Sequence, residues 1–219
     1  MRLSSAPPPL REVLEVDDDG SWRAWRSNAT AVGRFAGERG GGRILDATRA
    51  AAASGPPPAP AAGGVLDEAT DELVVDGIAV EVASGDTPAG PWGDAFGAAR
   101  DLIDDAPNHP LAAIALRIIE PGRVRLEHRG SEALEVELGS GRFEAIVYDA
   151  NAIPTDDAFG PVDLGQVTAR PGWSADLEVV PMAPAPGGKL EIEVSFVADD
   201  GGVYVPVTVS ATWPPPPRA

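Results

Sequence analysis

Glycine and proline cut the second half of this 219-residue chain into short pieces, and that constrains the fold more than any other feature. Between Pro110 and Pro214 the longest stretches free of both are 142–153 and 189–200. Inside them apolar and polar residues alternate, as in "RFEAIVYD" and "KLEIEVSFVA", the period of a strand with one buried face. Strands are expected near 111–119, 122–129, 133–138, 142–149, 162–169, 174–180, 189–198 and 202–212, and no helix is expected after Leu111. Short strands with turn signals about every 8–12 residues point to a β-sandwich.

The first half reads differently. "EVLEV" (12–16) and "SWRAWR" (21–26) flank "DDDG", where glycine accepts the positive φ of a hairpin turn. "TAVGRF" (30–35) is a third candidate strand. "ILDATRAAAA" (44–53) has the alanine content of a helix, ended by Gly55 and Pro56. The segment 54–64, "SGPPPAPAAGG", reads as an extended linker. A second hairpin is expected around Asp76–Gly77, followed by a helix over 90–105 with Trp92, Phe96, Ala99 and Ile103 on one face. The expected organisation is a tail (1–10), a small ββα-type α+β domain (11–105), an antiparallel sandwich (106–214) and a proline-rich tail (215–219), hence an α+β fold class. "APNHP" (106–110) marks the boundary.

Charge and composition exclude several functions. The formal net charge is −17, shared between the halves, so neither presents a basic patch for nucleic acid or for an anionic membrane. Without cysteine there is no disulfide frame, thiol nucleophile or Cys-ligated metal. "MRLSSAPPPLREVLEV" lacks the apolar run of a secretory signal, and no stretch approaches the ~18 apolar residues of a membrane span, which makes the cytoplasm the expected location.

No motif carries catalysis or metal binding. Counted from Glu15, "EVDDDG" offers Glu15, Asp17, Asp19 and Gly20 to a calcium loop, but Arg26 stands where a bidentate glutamate is required. "GERGGGRI" (37–44) has the glycines of a phosphate loop without its Lys-Ser/Thr. His109 and His128 have no ligand or triad spacing around them, and alternation puts His128 on the buried face with Val124 and Leu126. The pairs Asp104–Asp105, Asp156–Asp157 and Asp199–Asp200 fall at expected turns, where carboxylates are solvated. No catalytic, cofactor-binding or metal residue is assigned and no cofactor is expected. Trp22 and Trp25 lie on opposite faces of one expected strand; an exposed tryptophan is a frequent binding anchor, so both are candidate partner-binding residues.

The residues His128, Gly130, Gly139–Gly141, Phe143, Asp149, Pro171 and Gly172, with their flanking strands, resemble an immunoglobulin-like module of the bacterial intracellular proteinase inhibitor family. "ANAIPTDDAFGPVD" departs from that pattern in lacking a tryptophan after Asp149. The hairpin–helix–hairpin–helix order of the first half, ending near Asp104, is similar to emfourin-type inhibitors of metalloproteases. The resemblance implies a non-enzymatic intracellular module that binds another protein, a protease among the candidates. An accessory subunit of a larger assembly is the alternative, and an enzyme using carboxylates around His128 is a third reading.

Overall fold

The computed structural model describes residues 2–4, 12–55, 70–75, 78–83, 88–162 and 164–214. The proposed linker falls mostly outside these residues, as do 76–77 and the tail 215–219. The elements in chain order are β1 (Arg2–Ser4), β2 (Glu12–Val16), β3 (Trp22–Arg26), β4 (Asn28–Ala29), β5 (Ala31–Gly37) and α1 (Gly41–Ser54). They continue with β6 (Thr70–Val75), β7 (Ile78–Ala83), α2 (Pro91–Asp105), a 3-10 turn (Ala106–Asn108), β8 (Pro110–Glu120) and β9 (Arg123–Gly130). Then come β10 (Leu134–Tyr148), β11 (Pro154–Val162), β12 (Gln166–Ala169), β13 (Ser174–Glu178), β14 (Lys189–Asp199) and β15 (Tyr204–Trp213). The chain is therefore mixed α+β, with two helices and mostly antiparallel strands among the described residues.

It divides into two compact units, 1–26 with 34–110 and 27–33 with 111–219. The sequence places one cut after Asp105. In the structure the second unit begins at Leu111 and also takes in 27–33. Arg2–Ser4, inside the segment read as a tail, form β1, paired with both β2 and β6.

In the first unit the strand order is β5-β3-β2-β1-β6-β7. The β2–β3 turn closes through Gly20 N donating to the Asp17 carbonyl at 2.9 Å, with Gly20 at φ 84. α1 starts three residues before its expected position, directly after Gly40. Proline opens α2, where its missing N–H leaves no helical bond unmade, and Asp94 in the first turn faces the positive end of the helix dipole. Trp92, Phe96, Ala99 and Ile103 are all buried, as their helical spacing requires. Trp92, Ala95 and Phe96 of α2 pack with Ala51 and Ala47 of α1.

In the second unit one sheet has the order β13-β9-β8. The other runs β11-β10-β14-β15-β4, with β12 beside the first part of β10. β4 lies parallel to β15, and the Thr208 N–H donates to the Ser27 carbonyl at 2.7 Å. The sequence reads two strands, 133–138 and 142–149, where the structure has the single strand β10. Gly139 and Gly141 carry it through an irregularity: Glu137 faces Val197, whereas Arg142 faces Ser195. A Cβ on Gly141 would sit 2.9 Å from the Ser195 carbonyl oxygen, so only glycine permits that approach. The irregularity is also where β10 changes neighbour, from β12 to β11.

β11 is the element missed in the sequence, which has a strand over 162–169 instead. Its residues, "PTDDAFGPV", do not alternate in polarity, and two prolines and a glycine lower its strand propensity. Pairing with β10 from Gly141–Val162 to Tyr148–Pro154 holds it extended. A strand whose cause is its neighbour leaves little trace in its own residues.

Candidate functional site

Neither tryptophan proposed as an anchor is exposed. Trp22 is 1% and Trp25 4% accessible, so both faces of β3 are covered where they stand. The Trp22 indole N–H donates to the Arg39 carbonyl at 2.7 Å, and its ring meets His109 edge-on at 5.7 Å. A Cβ on Gly37 would lie 2.7 Å from the indole, so that glycine is the floor on which Trp22 rests. These contacts make Trp22 part of the core.

His128 lies on the buried face of β9 as alternation requires, at 8% accessibility. Its ring meets the Glu132 backbone without a well-aligned hydrogen bond. Burial holds its pKa below the ordinary histidine value, with the Glu132 backbone opposing the shift. No described carboxylate converges on it. His109 instead sits at the surface with Nε2 3.2 Å from Asp105, which also accepts from the Asn108 amide at 2.8 Å. Those two contacts lower the Asp105 pKa, the Asn108 bond most. Asp19 accepts from the Ser21 N–H at 2.9 Å, so the acidic hairpin satisfies itself. Among the described residues no group of three His, Asp or Glu side chains is placed to hold a metal ion, and no helix is long and apolar enough to cross a membrane.

The feature that stands out is the outer edge of β11. Phe159 is 80% accessible, the most exposed large apolar side chain among the described residues. It borders a groove of about 460 Å³ formed with Arg142, Phe143, Glu144, Gly160 and Pro161. Phe143 faces the core, opposite Gly160, where a Cβ would lie 2.6 Å from the ring. An aromatic side chain on one strand thus fills the space that a side chain at Gly160 would need. β11 ends its sheet, so along its free side it pairs with no described strand.

The turn into this edge is held by Asp149. Its Oδ1 accepts from the Asn151 N–H at 2.8 Å and the Ile153 N–H at 2.9 Å, while Ala152 takes φ 61. Both backbone donors stabilise the carboxylate and lower its pKa, Ile153 most.

The sheet face beside Phe159 is acidic. Cross-strand registers align Phe159 with Glu144, Glu144 with Glu193, and Glu193 with Ser210. The next row runs Asp157, Ile146, Glu191 and Thr212. Glu191 is engaged by Lys189 Nζ at 2.6 Å, and Lys189 also lies 4.7 Å over the Tyr148 ring. Glu144 and Glu193 have no ion-pair partner among the described residues, and like charges directly opposite one another repel. Partial desolvation, then Glu144 and Glu191, push the Glu193 pKa above the usual carboxylate value. Arg142, in the row of Pro161, Ser195 and Thr208, is the other cation on this part of the face.

No sequence signal isolates Phe159, an aromatic between acids and turn formers in a segment without periodicity. No family model and no curated protein matches the chain. Among solved structures, the crystal structure of an endonuclease/exonuclease/phosphatase from Beutenbergia cavernae aligns at 14% identity over 47% of this chain and 23% of that one. Its TM-score of 0.18 is too low to carry an argument about fold or activity.

Proposed function

We propose that the chain is a non-enzymatic, intracellular protein-binding module whose recognition element is the free edge of β11. The observation that carries this reading is Phe159, 80% accessible beside a groove on an unpaired sheet edge. An exposed edge invites strand addition, in which a partner's backbone continues the sheet and a neighbouring pocket takes a side chain. An immunoglobulin-like identity for the second unit is part of the proposal. In its favour are the order β8-β9-β13 in one sheet, β10-β14-β15 in the other, and the short β4 parallel to the last strand. Protease inhibition is one form this binding takes under the proposal, and docking on a larger assembly is the other.

The test is capture of partners from the native cell by the intact protein and by Phe159→Ala, alongside inhibition assays against serine proteases and metalloproteases. The expected result is loss of one specific partner, or of inhibition, in a variant whose melting temperature is unchanged. Truncating an aromatic anchor weakens binding by about 2 kcal/mol or more. Identical capture by both proteins, with no protease slowed, would remove the edge from consideration.

A further inference from the structure

Resting on that reading, we infer that the β11 edge recognises an extended cationic segment of its partner, with an arginine or lysine seated over Phe159 and paired with Glu144. Three observations meet at this point. The first is the unpaired edge of β11, which selects an extended backbone, with a groove between β10 and β11 beside it. The second is the Phe159 ring itself, whose accessible face attracts a guanidinium or ammonium group. The third is charge. Glu144 stands directly beside Phe159, Glu193 stands directly behind Glu144, and neither forms an ion pair among the described residues.

Distance decides which carboxylate is touched. Adjacent strands are about 4.8 Å apart, so an added strand would run about 10 Å from the strand that carries Glu144. Arginine and glutamate side chains together span that gap across the Phe159 ring. Glu193, one strand further, adds field and not contact. Its pKa is raised by desolvation first and then by Glu144 and Glu191, and only the second part would be relieved by an incoming cation. Arg142 lies in the row of Pro161, so the cation belongs opposite Phe159 and Asp157 and not opposite Pro161.

A second copy of the chain is the poorer occupant. Pairing two β11 edges would bring Asp156 and Asp157 of both copies to one seam, between molecules that each carry a net charge of −17. Like-charge juxtaposition disfavours that contact, whereas the same negative charge attracts a basic partner.

The probe is an acetylated, amidated octapeptide alternating arginine and threonine, since alternate residues of an added strand share one face. Controls replace every arginine by glutamine or by glutamate. Titration of the full chain, followed by calorimetry and by NMR shifts, should show the arginine peptide binding about tenfold or more tighter than the glutamine peptide. Added salt should erode the difference, because exposed charges are screened beyond about 10 Å at 0.1 M. Glu144→Gln should weaken it about two- to fivefold, the scale of one exposed ion pair, and Glu193→Gln less. Phe159→Ala should weaken all binding while melting like the parent, and the two glutamate-to-glutamine variants should melt no lower than the parent. If the glutamine peptide binds as well, with Phe159 still required, strand addition stands and the cationic specificity is overturned. Preference for the glutamate peptide overturns it too. If no peptide binds and the protein sediments as a dimer that Phe159→Ala dissociates, the occupant is a second copy and the inference fails. If nothing binds and the chain is a monomer, the edge reading falls together with it.

Discussion

His128 is the residue whose environment departs furthest from its chemistry. A buried imidazole beside the Glu132 backbone is favoured while neutral, because burial penalises the charged form more than that contact supports it. Its folded-state pKa is therefore lower than its unfolded value of about 6.5. Between those two values the unfolded chain binds more protons, so stability falls as pH drops through about 6.5 and levels off below the folded pKa. His128→Leu should remove that slope. Thermal melts of parent and variant from pH 7.5 to 5 should diverge as the pH falls. Parallel curves would show that His128 titrates alike in both states. Phe159 is the opposite case, an apolar residue in solvent, and its expected effect is on binding alone.

At the scale of elements, β11 and the turn before it show how a weak strand is put in place. Asp149 ties down the Asn151 and Ile153 amides, Ala152 makes the positive-φ reversal, and the chain leaves already in register with β10. Because the Asp149 pKa is depressed, its contribution is present above the unfolded carboxylate value and lost as pH falls through the folded one. Asp149→Ala should lower the melting temperature modestly and speed amide exchange in 151–162 far more than in β14. Asp149→Asn, which keeps an acceptor oxygen, should recover part of the protection. Equal exchange across both strands in the alanine variant would mean that β10 alone positions β11. The same comparison explains what was legible beforehand. β14 and β15 carry their own alternation and were found within a few residues, as was the hairpin between them. β11 carries none.

Considered whole, the chain returns residues 27–33 to the unit built mainly from 111–219. β4 then covers the edge of β15 that would otherwise be free, by parallel pairing at Asn28–Thr208 and Ala29–Val209. A fragment beginning at Leu111 lacks that cover. It should still fold as a β-rich domain, with a lower melting temperature than the intact protein and a concentration-dependent tendency to associate through β15. Circular dichroism and sedimentation of 111–219 would check this. A fragment that stays monomeric and melts like the full chain would show that β4 contributes nothing.

Periodicity and turn chemistry, both local in the sequence, were enough for the α+β class, both helices, most strands and the buried face of β9. Each of these is decided by neighbours a few residues away, where side-chain direction follows backbone period. The tertiary structure decided what depends on distant partners. It buried both Trp22 and Trp25, because the cover on each face of β3 comes from elsewhere in the chain. It joined two expected strands through Gly139 and Gly141, moved 27–33 into the second unit, and made an edge strand of "PTDDAFGPV". The candidate site lies on that last element. Exposure of an aromatic residue is set by what fails to pack against it, and no sequence period records that.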